Sequence, residues 1–299
     1  MSTKTLEAKS QKQENVIKKR KSNFWEVIRR LRKSHMAMIG LFIVCLLILT
    51  AIFADVIAPY GYDDQELSNA FKSPSFKHLF GTDEFGRDIF SRIIYGSRIS
   101  LEVGFIAVSI SVVIGGFLGA IAGYYGGMVD NFIMRCMDVL LSIPQILLAI
   151  SIAASLGPGL INLMIAVGIS SIPQYARLVR ASVLSIREQE FIEAARSVGS
   201  SDIRIIFKHI LPNCLAPIIV QATLGVAFAI LTAAGLSFIG LGIQPPTPEW
   251  GAMLSGGRGY IRDYAYMTLF PGLAIMITIL ALNFLGDGLR DALDPKLKN

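Results

Sequence analysis

The residues able to do covalent or metal chemistry are few and scattered. Three histidines, His35, His78 and His209, stand singly, and three cysteines, Cys45, Cys136 and Cys214, lie far apart in or beside apolar runs. Neither set has zinc-site spacing, and no nucleophile is paired with a base. The cysteines read as small apolar packing residues. The dipeptide Gly-Lys never occurs, so the phosphate loop Gly-x-x-x-x-Gly-Lys-Ser/Thr is absent. No catalytic, cofactor-binding or metal-binding residue is expected, and the chain is not expected to hydrolyse ATP by itself. The patterned segment is instead Arg177–His209, a polar stretch between apolar ones. Two short helices are expected there. The first ends near Val198, with Gly199 suited to the left-handed position just past a helix end. Ser200 or Ser201 can cap the second, and Asp202 favours its N-terminus. Phe191, Ala194, Ala195 and Val198 recur at helical spacing and form a small apolar face with charged shoulders. Such a face can enter a groove on another protein or pack beneath a membrane.

The elements that position this loop follow from composition. Of the 299 residues 53% are hydrophobic and 17% charged, against about 25% charged in soluble domains. The mean hydropathy is +0.56. These values exclude soluble, disordered, collagenous and disulfide-scaffold classes and predict an all-α polytopic membrane protein. The net charge of +6 does not signal nucleic acid, because eleven Lys/Arg fall within residues 1–35, beside the first apolar run.

Charge-free stretches locate the spans: Met36–Ala54, Val103–Val129, Val139–Ala176, Ile210–Pro248 and Tyr264–Gly286. The third is too long for one crossing of a core about 30 Å thick. Leu156-Gly157-Pro158-Gly159 reads as a turn within it. Six transmembrane helices result. In the fourth stretch a span is expected over 214–234, with Gly235–Gly242 and Pro245-Pro246 irregular and covered by protein. With a cytoplasmic N-terminus, inside segments hold 21 Lys/Arg and outside segments seven, so both termini are expected to be cytoplasmic. A cleaved signal peptide is the rival reading of Met36–Ala54; its polar lead is long for one, and no convincing small-x-small site follows. Residues 1–22 are expected to be disordered, and Phe24–Leu31 to lie amphipathically on the inner membrane surface.

The spans carry no Asp, Glu, Lys or Arg, which argues against a stand-alone ion-coupled carrier, although a sodium site of carbonyls and hydroxyls stays open. Gly115, Gly119, Gly123 and Gly127 recur every four residues and form a stripe for close helix packing. Ser142, Gln145, Ser151, Asn162, Gln174, Gln221 and Asn283 can bond across helices or line a polar passage, the former being the expectation for each alone.

Glu193-Ala194-Ala195, Gly199 and Ile210-Leu211-Pro212 together resemble the loop of permease subunits of ATP-binding-cassette (ABC) importers. Gly81-Thr82-Asp83-Glu84-Phe85-Gly86-Arg87-Asp88, Ser91-Arg92 and Gly96-Ser97-Arg98-Ile99-Ser100-Leu101 are similar to the second, C-type permease of dipeptide and oligopeptide importers. So are Gln244–Leu254 and Leu285–Pro295. Only residues 1–35 lie outside the resemblance. It implies the type I ABC importer permease fold and a heterodimer with a homologous second permease. Two cytoplasmic ATPases would use the ATP, and an extracytoplasmic solute-binding protein would deliver substrate. It implies a bacterial or archaeal cytoplasmic (inner) membrane. The ATPase-coupling residues would be Glu193, Ala194, Ala195, Gly199, Ile210, Leu211 and Pro212. The organisation would be a basic tail over 1–35, a first span over 36–58, an extracytoplasmic loop over 59–97, a permease core over 98–288 with coupling loop 177–209, and a tail over 289–299. The implied substrates are dipeptides or oligopeptides, with nickel, glutathione or oligosaccharide as alternatives. Nothing in the sequence assigns the substrate pathway.

Overall fold

The computed structural model describes residues 28–293. The expectation for residues 1–22 and the first half of that for Phe24–Leu31 lie outside them, as does the end of the C-terminal tail. Among the described residues the chain is helical, with one isolated bridge, Thr82 to Asp88.

Helix α1 (His35–Ile52) starts at Ser34, whose Oγ accepts from the Ala37 N–H at 3.3 Å. A short α2 (Ala54–Ile57) follows. Helix α3 (Ile89–Tyr125) starts at Asp88, which accepts from the Ser91 N–H at 2.8 Å, and it stops at Gly126, φ +69°. Helices α4 (Gly127–Leu141) and α5 (Gln145–Leu156) are bent by 86° at their junction. Then come α6 (Leu160–Arg187), α7 (Glu190–Ser197), α8 (Asp202–Phe238), α9 (Trp250–Gly257) and α10 (Tyr266–Leu293).

Helices α1, α3, α8 and α10 are long and apolar enough to cross a membrane, and α4 with α5 makes a fifth if the bent pair is one span. Helix α6, with 28 residues, is about 42 Å long, but polar residues thin its apolar run. Phe42, Phe117, Phe132 and Phe228 are half or more exposed, a surface suited to lipid or a partner and not to water.

Several boundaries differ from the sequence expectation. Helix α3 begins at Ile89, ahead of Val103, because the charges in its first turns have partners. Arg92 donates to the Tyr62 carbonyl at 2.7 Å, and Arg98 pairs with Asp55 at 3.2 Å. The Val139–Ala176 stretch breaks twice, at the expected Gly157–Gly159 turn and also before Gln145, where Pro144 lacks the N–H a continuing helix needs. The second loop helix is not separate: it runs unbroken into the next span as α8. That helix continues to Phe238, so Gly235–Phe238 are helical and irregular backbone begins only at Ile239.

The glycine stripe packs α3 against α6. A Cβ at Gly115 would stand 2.6 Å from the Ile172 carbonyl oxygen, one at Gly119 would meet the Ala176 carbonyl, and one at Gly123 would stand 3.0 Å from the Arg180 carbonyl. Ser111 ties the same face by donating to the Gly168 carbonyl at 2.7 Å. Gly127 does not extend the stripe. It opens α4 at φ +53° and faces nothing within 4 Å. Helix α1 docks on α10 through another small residue, since a Cβ at Gly40 would lie 2.6 Å from the Ala281 carbonyl oxygen.

Candidate functional site

The loop between α6 and α8 holds a short surface helix, α7. Glu190 and Glu193 occupy the first turn of α7 and Arg196 the last, each on the side the helix dipole favours. Val198 closes the helix. The Gly199 N–H donates to the Arg196 carbonyl at 2.9 Å and the Ser200 N–H to the Ala195 carbonyl at 3.1 Å. With Gly199 at φ +77°, this is a complete Schellman motif, in which the left-handed residue lets two orphan carbonyls find donors. Ser201 occupies the N-cap of α8 without a side-chain cap bond. Asp202 instead accepts from the Tyr124 hydroxyl at 2.6 Å.

One side of α7 faces its own chain. Ile192 is fully buried and Ala195 is 8% exposed, in a cluster with Val183, Ile186, Ile205 and Ile210. Phe191, Glu193, Ala194 and Val198 face outward. The expectation that Ala194 and Ala195 share one docking face is therefore corrected. Residues 191, 194 and 198 form the exposed apolar strip, while Ala195 packs inward with Ile192. The Glu193 carboxylate has no ion pair or hydrogen bond among the described residues. Ile203 and Phe207, 70% and 58% exposed, add apolar surface at the start of α8.

This start is anchored to the bundle. Arg187 donates to the carbonyls of Gly123 and Tyr124 at 2.9 and 3.2 Å, and the Arg196 guanidinium stacks over the Tyr124 ring at 5.3 Å. On the same side, Arg180 of α6 binds Asp130 of α4 through both carboxylate oxygens, at 2.5 and 2.6 Å. Ile205–Ile210 form a π-helical stretch, closed by the Leu211 N–H donating to the Ile206 carbonyl. This registers Pro212 near a point where its missing N–H costs little. Ile210 is fully buried, Leu211 half-buried and Pro212 exposed. Of the motif residues, then, Glu193, Ala194, Gly199 and Pro212 are on the surface, and Ala195 and Ile210 hold the loop from within. Tyr124, Arg187 and Ile192 were not singled out from the sequence, and Asp202 only as a residue favouring a helix start. Tyr124 and Asp202 lie 78 positions apart, and no local pattern joins them.

At the opposite end, two distant motifs meet. Asp83 accepts from the N–H groups of Phe85 and Arg87 at 2.9 and 3.0 Å and from Arg87 Nε at 2.6 Å. Arg92 reaches the Pro246 carbonyl at 3.2 Å, and Trp250 Nε1 donates to the Ile93 carbonyl at 3.0 Å. Glu249 caps α9, accepting from Gly251 and Ala252 at 2.9 and 2.8 Å. Residues 81–92 and 244–254 thus form one packed cover over the bundle. Burial raises the pKa of Glu84, in the same turn, above the usual carboxylate range.

Between the ends, α3, α6, α8 and α10 enclose a cleft of about 370 Å³ that includes Ser171, Gln174, Tyr175, Gln221, Phe228 and Asn283. Of the span polar residues, Gln174 donates to Gln145 and Gln145 to Ser171, both at 2.8 Å. Asn162 ties the α5–α6 turn through the Leu156 carbonyl at 2.9 Å. Ser142 and Ser151 donate to carbonyls of their own helices.

The helical bundle, with a short surface helix at one end and a packed cover at the other, matches solved transporter structures. One chain of the inward-facing MetNI methionine ABC transporter superposes with a TM-score of 0.55 at 21% identity, over 68% of this chain and 96% of that one. The sequence profile described as "Binding-protein-dependent transport system inner membrane component" matches residues 115–299, and the chain belongs to that family. Residues 22–74 match the N-terminal transmembrane domain of oligopeptide transport permease C, so the likeness reaches back into the segment the sequence reading left outside. The dipeptide transport system permease protein DppC of Alkalihalophilus pseudofirmus is 54% identical over 92% of this chain and 90% of its own length. The glutathione transport system permease protein GsiD of Escherichia coli O6:K15:H31 is 52% identical over the same shares. The chain is a C-type peptide ABC permease and a multi-pass membrane protein.

Proposed function

We propose that this chain is one of two homologous permease subunits of an ATP-driven importer that carries dipeptides or oligopeptides across the cytoplasmic membrane. The 54% identity to a dipeptide permease across nearly the whole chain carries this reading. In it, six helices cross the bilayer: α1, α3, the bent α4–α5 pair, α6, α8 and α10. Both termini and the 177–209 loop are cytoplasmic, in accord with the Lys/Arg bias. Residues 98–288 form the core, 36–58 an added first span and 59–97 the extracytoplasmic cover that meets a solute-binding protein.

The chain catalyses nothing and binds no cofactor. Two partner ATPases hydrolyse ATP. The outward strip of α7, with Glu193, Ala194 and the Gly199 turn, seats in an ATPase groove, Ala195, Ile210 and Leu211 hold it to the bundle, and Pro212 lies on the surface beside it. Movement of the ATPases then reaches α3 and α8 through the Tyr124–Asp202 bond and the Arg187 contacts. The 52% identity to a glutathione permease favours one second reading, a tripeptide thiol as cargo.

Reconstitution tests both. Proteoliposomes holding this chain with its partner permease, ATPases and binding protein should import a labelled dipeptide only with ATP. Excess glutathione should not compete. Import by this chain alone refutes the subunit reading, and competition by glutathione below dipeptide concentrations favours the second.

A further inference from the structure

The cleft between α3, α6, α8 and α10 contains side chains that the packing of the bundle does not use. Gln221 on α8 and Asn283 on α10 are both half-buried and both line it. Neither carboxamide has a hydrogen-bond partner among the described residues. That sets them apart from three other span amides. Gln145, Gln174 and Asn162 all bond protein groups. Both amides open onto the cleft, so their donors and acceptors are free to bond a molecule within it.

The cleft's chemistry limits what that ligand is. No lining residue is charged, so nothing there selects for a cation or an anion. A carboxamide offers one acceptor and one donor group, the complement of a peptide group's N–H and C=O. Gln174, also in the wall, has its amide nitrogen engaged with Gln145 and its carbonyl oxygen free. Behind them Tyr175 is locked, its hydroxyl donating to the Gln221 backbone carbonyl at 3.2 Å. A Cβ at Gly225 would collide with that hydroxyl. The wall is therefore fixed where the carboxamides project. At about 370 Å³ the space falls within the range of small-molecule sites, about 300–1,000 Å³.

We propose that Gln221 and Asn283, with Gln174 beside them, form a charge-neutral hydrogen-bonding station for the backbone of a peptide in transit. The station reads the peptide group and is indifferent to side-chain charge. This rests on the importer reading above.

The test uses the full complex in proteoliposomes at pH 8, with two cargoes, alanyl-lysine and alanyl-glutamate. Asn283→Asp and Gln221→Glu change shape little and add one negative charge. Each should raise the ratio of alanyl-lysine to alanyl-glutamate uptake on the order of tenfold over wild type, since one charge a few ångströms from the cargo acts in a partly hydrated cleft. Affinities of the binding protein for both cargoes should not move. An unchanged ratio with uptake retained overturns the station and means that the carboxamides face lipid or the second permease. Should the acidic variants fail to assemble, Asn283→Cys in a background lacking Cys45, Cys136 and Cys214 replaces them. A small thiol reagent should modify it, and turnover with alanyl-alanine should slow the modification; no reaction, or no protection, overturns the proposal. If the wild-type complex imports neither cargo, the importer reading itself fails before any variant is made.

Discussion

Ala194 and Ala195 are neighbours in sequence but should respond to enlargement in opposite ways. Ala195 is 8% exposed, in the cluster with Ile192, Ile205 and Ile210. Ala195→Leu adds three carbons to a packed site, and overpacking of that kind costs about 1–3 kcal/mol. The cost falls on the permease itself, as the loop's hold on α8. In equilibrium terms it is roughly a 5- to 150-fold rise in local opening. Amide exchange at Gly199 and Ser200, whose N–H groups close the end of α7, should accelerate by that factor. Ala194 is exposed. Leucine there keeps helix propensity close to alanine's and should leave the free permease within about 0.5 kcal/mol of wild type. Its effect should appear only against the ATPase, as a similar 5- to 150-fold loss of affinity if the groove fits alanine closely. The assay measures amide exchange of the permease without ATPase, ATPase co-purification and uptake, for each variant at matched membrane level. Fast exchange with Ala194→Leu and unchanged exchange with Ala195→Leu would show that the two faces of α7 have been assigned the wrong way round.

Three further outcomes are expected. In a cysteine-free background, a cysteine at Ser68 should react with an impermeant reagent on intact cells or spheroplasts and one at Ser200 should not; labelling at Ser200 refutes the orientation. Gly199→Val, at φ +77° with no neighbour to clash with, should cost about 1–2 kcal/mol through backbone strain alone; it should abolish uptake at normal membrane level, whereas Gly199→Asn, which tolerates that conformation, should retain it. Gly119→Val drives a Cβ into the Ala176 carbonyl, so it should force α3 from α6 and reduce folded protein in the membrane, while Gly116→Ala on the same helix, whose Cβ would lie 3.9 Å from the nearest atom, should not.

What the sequence made legible was local. Gly199 ends α7 because a left-handed residue followed by a fresh helix start is written in adjacent residues, and the structure adds only its two hydrogen bonds. The Gly157–Gly159 break is the same kind of signal. The glycine stripe was legible as a surface for close approach, but its partner α6 was not, because four small residues say how near a helix can come and not which one comes. The continuity of α8 was hidden for a different reason. A short loop helix and a separate span over 214–234 were expected, yet the π-helical turn before Pro212 carries the chain through without the hydrogen bond that proline removes. The inward face of α7 was hidden because Ile192–Ala195 and Phe191–Ala194–Val198 are both helically spaced. Only the isoleucines at 205, 206 and 210, delivered by the next helix, decide which strip is buried. The site therefore depends on two kinds of residue. Those that make the exposed strip of α7, Phe191, Ala194 and Val198, recur within two turns and can be read directly. Those that connect it to the membrane, Tyr124 to Asp202 and Arg187 to Gly123, join elements 78 and 64 positions apart. Under the proposed coupling, a movement of α7 would reach the spans through these bonds as well as through the packing of Ile192 and Ala195 on Val183 and Ile186, so loss of the Tyr124 hydroxyl should weaken transmission while leaving the exposed strip of α7 intact.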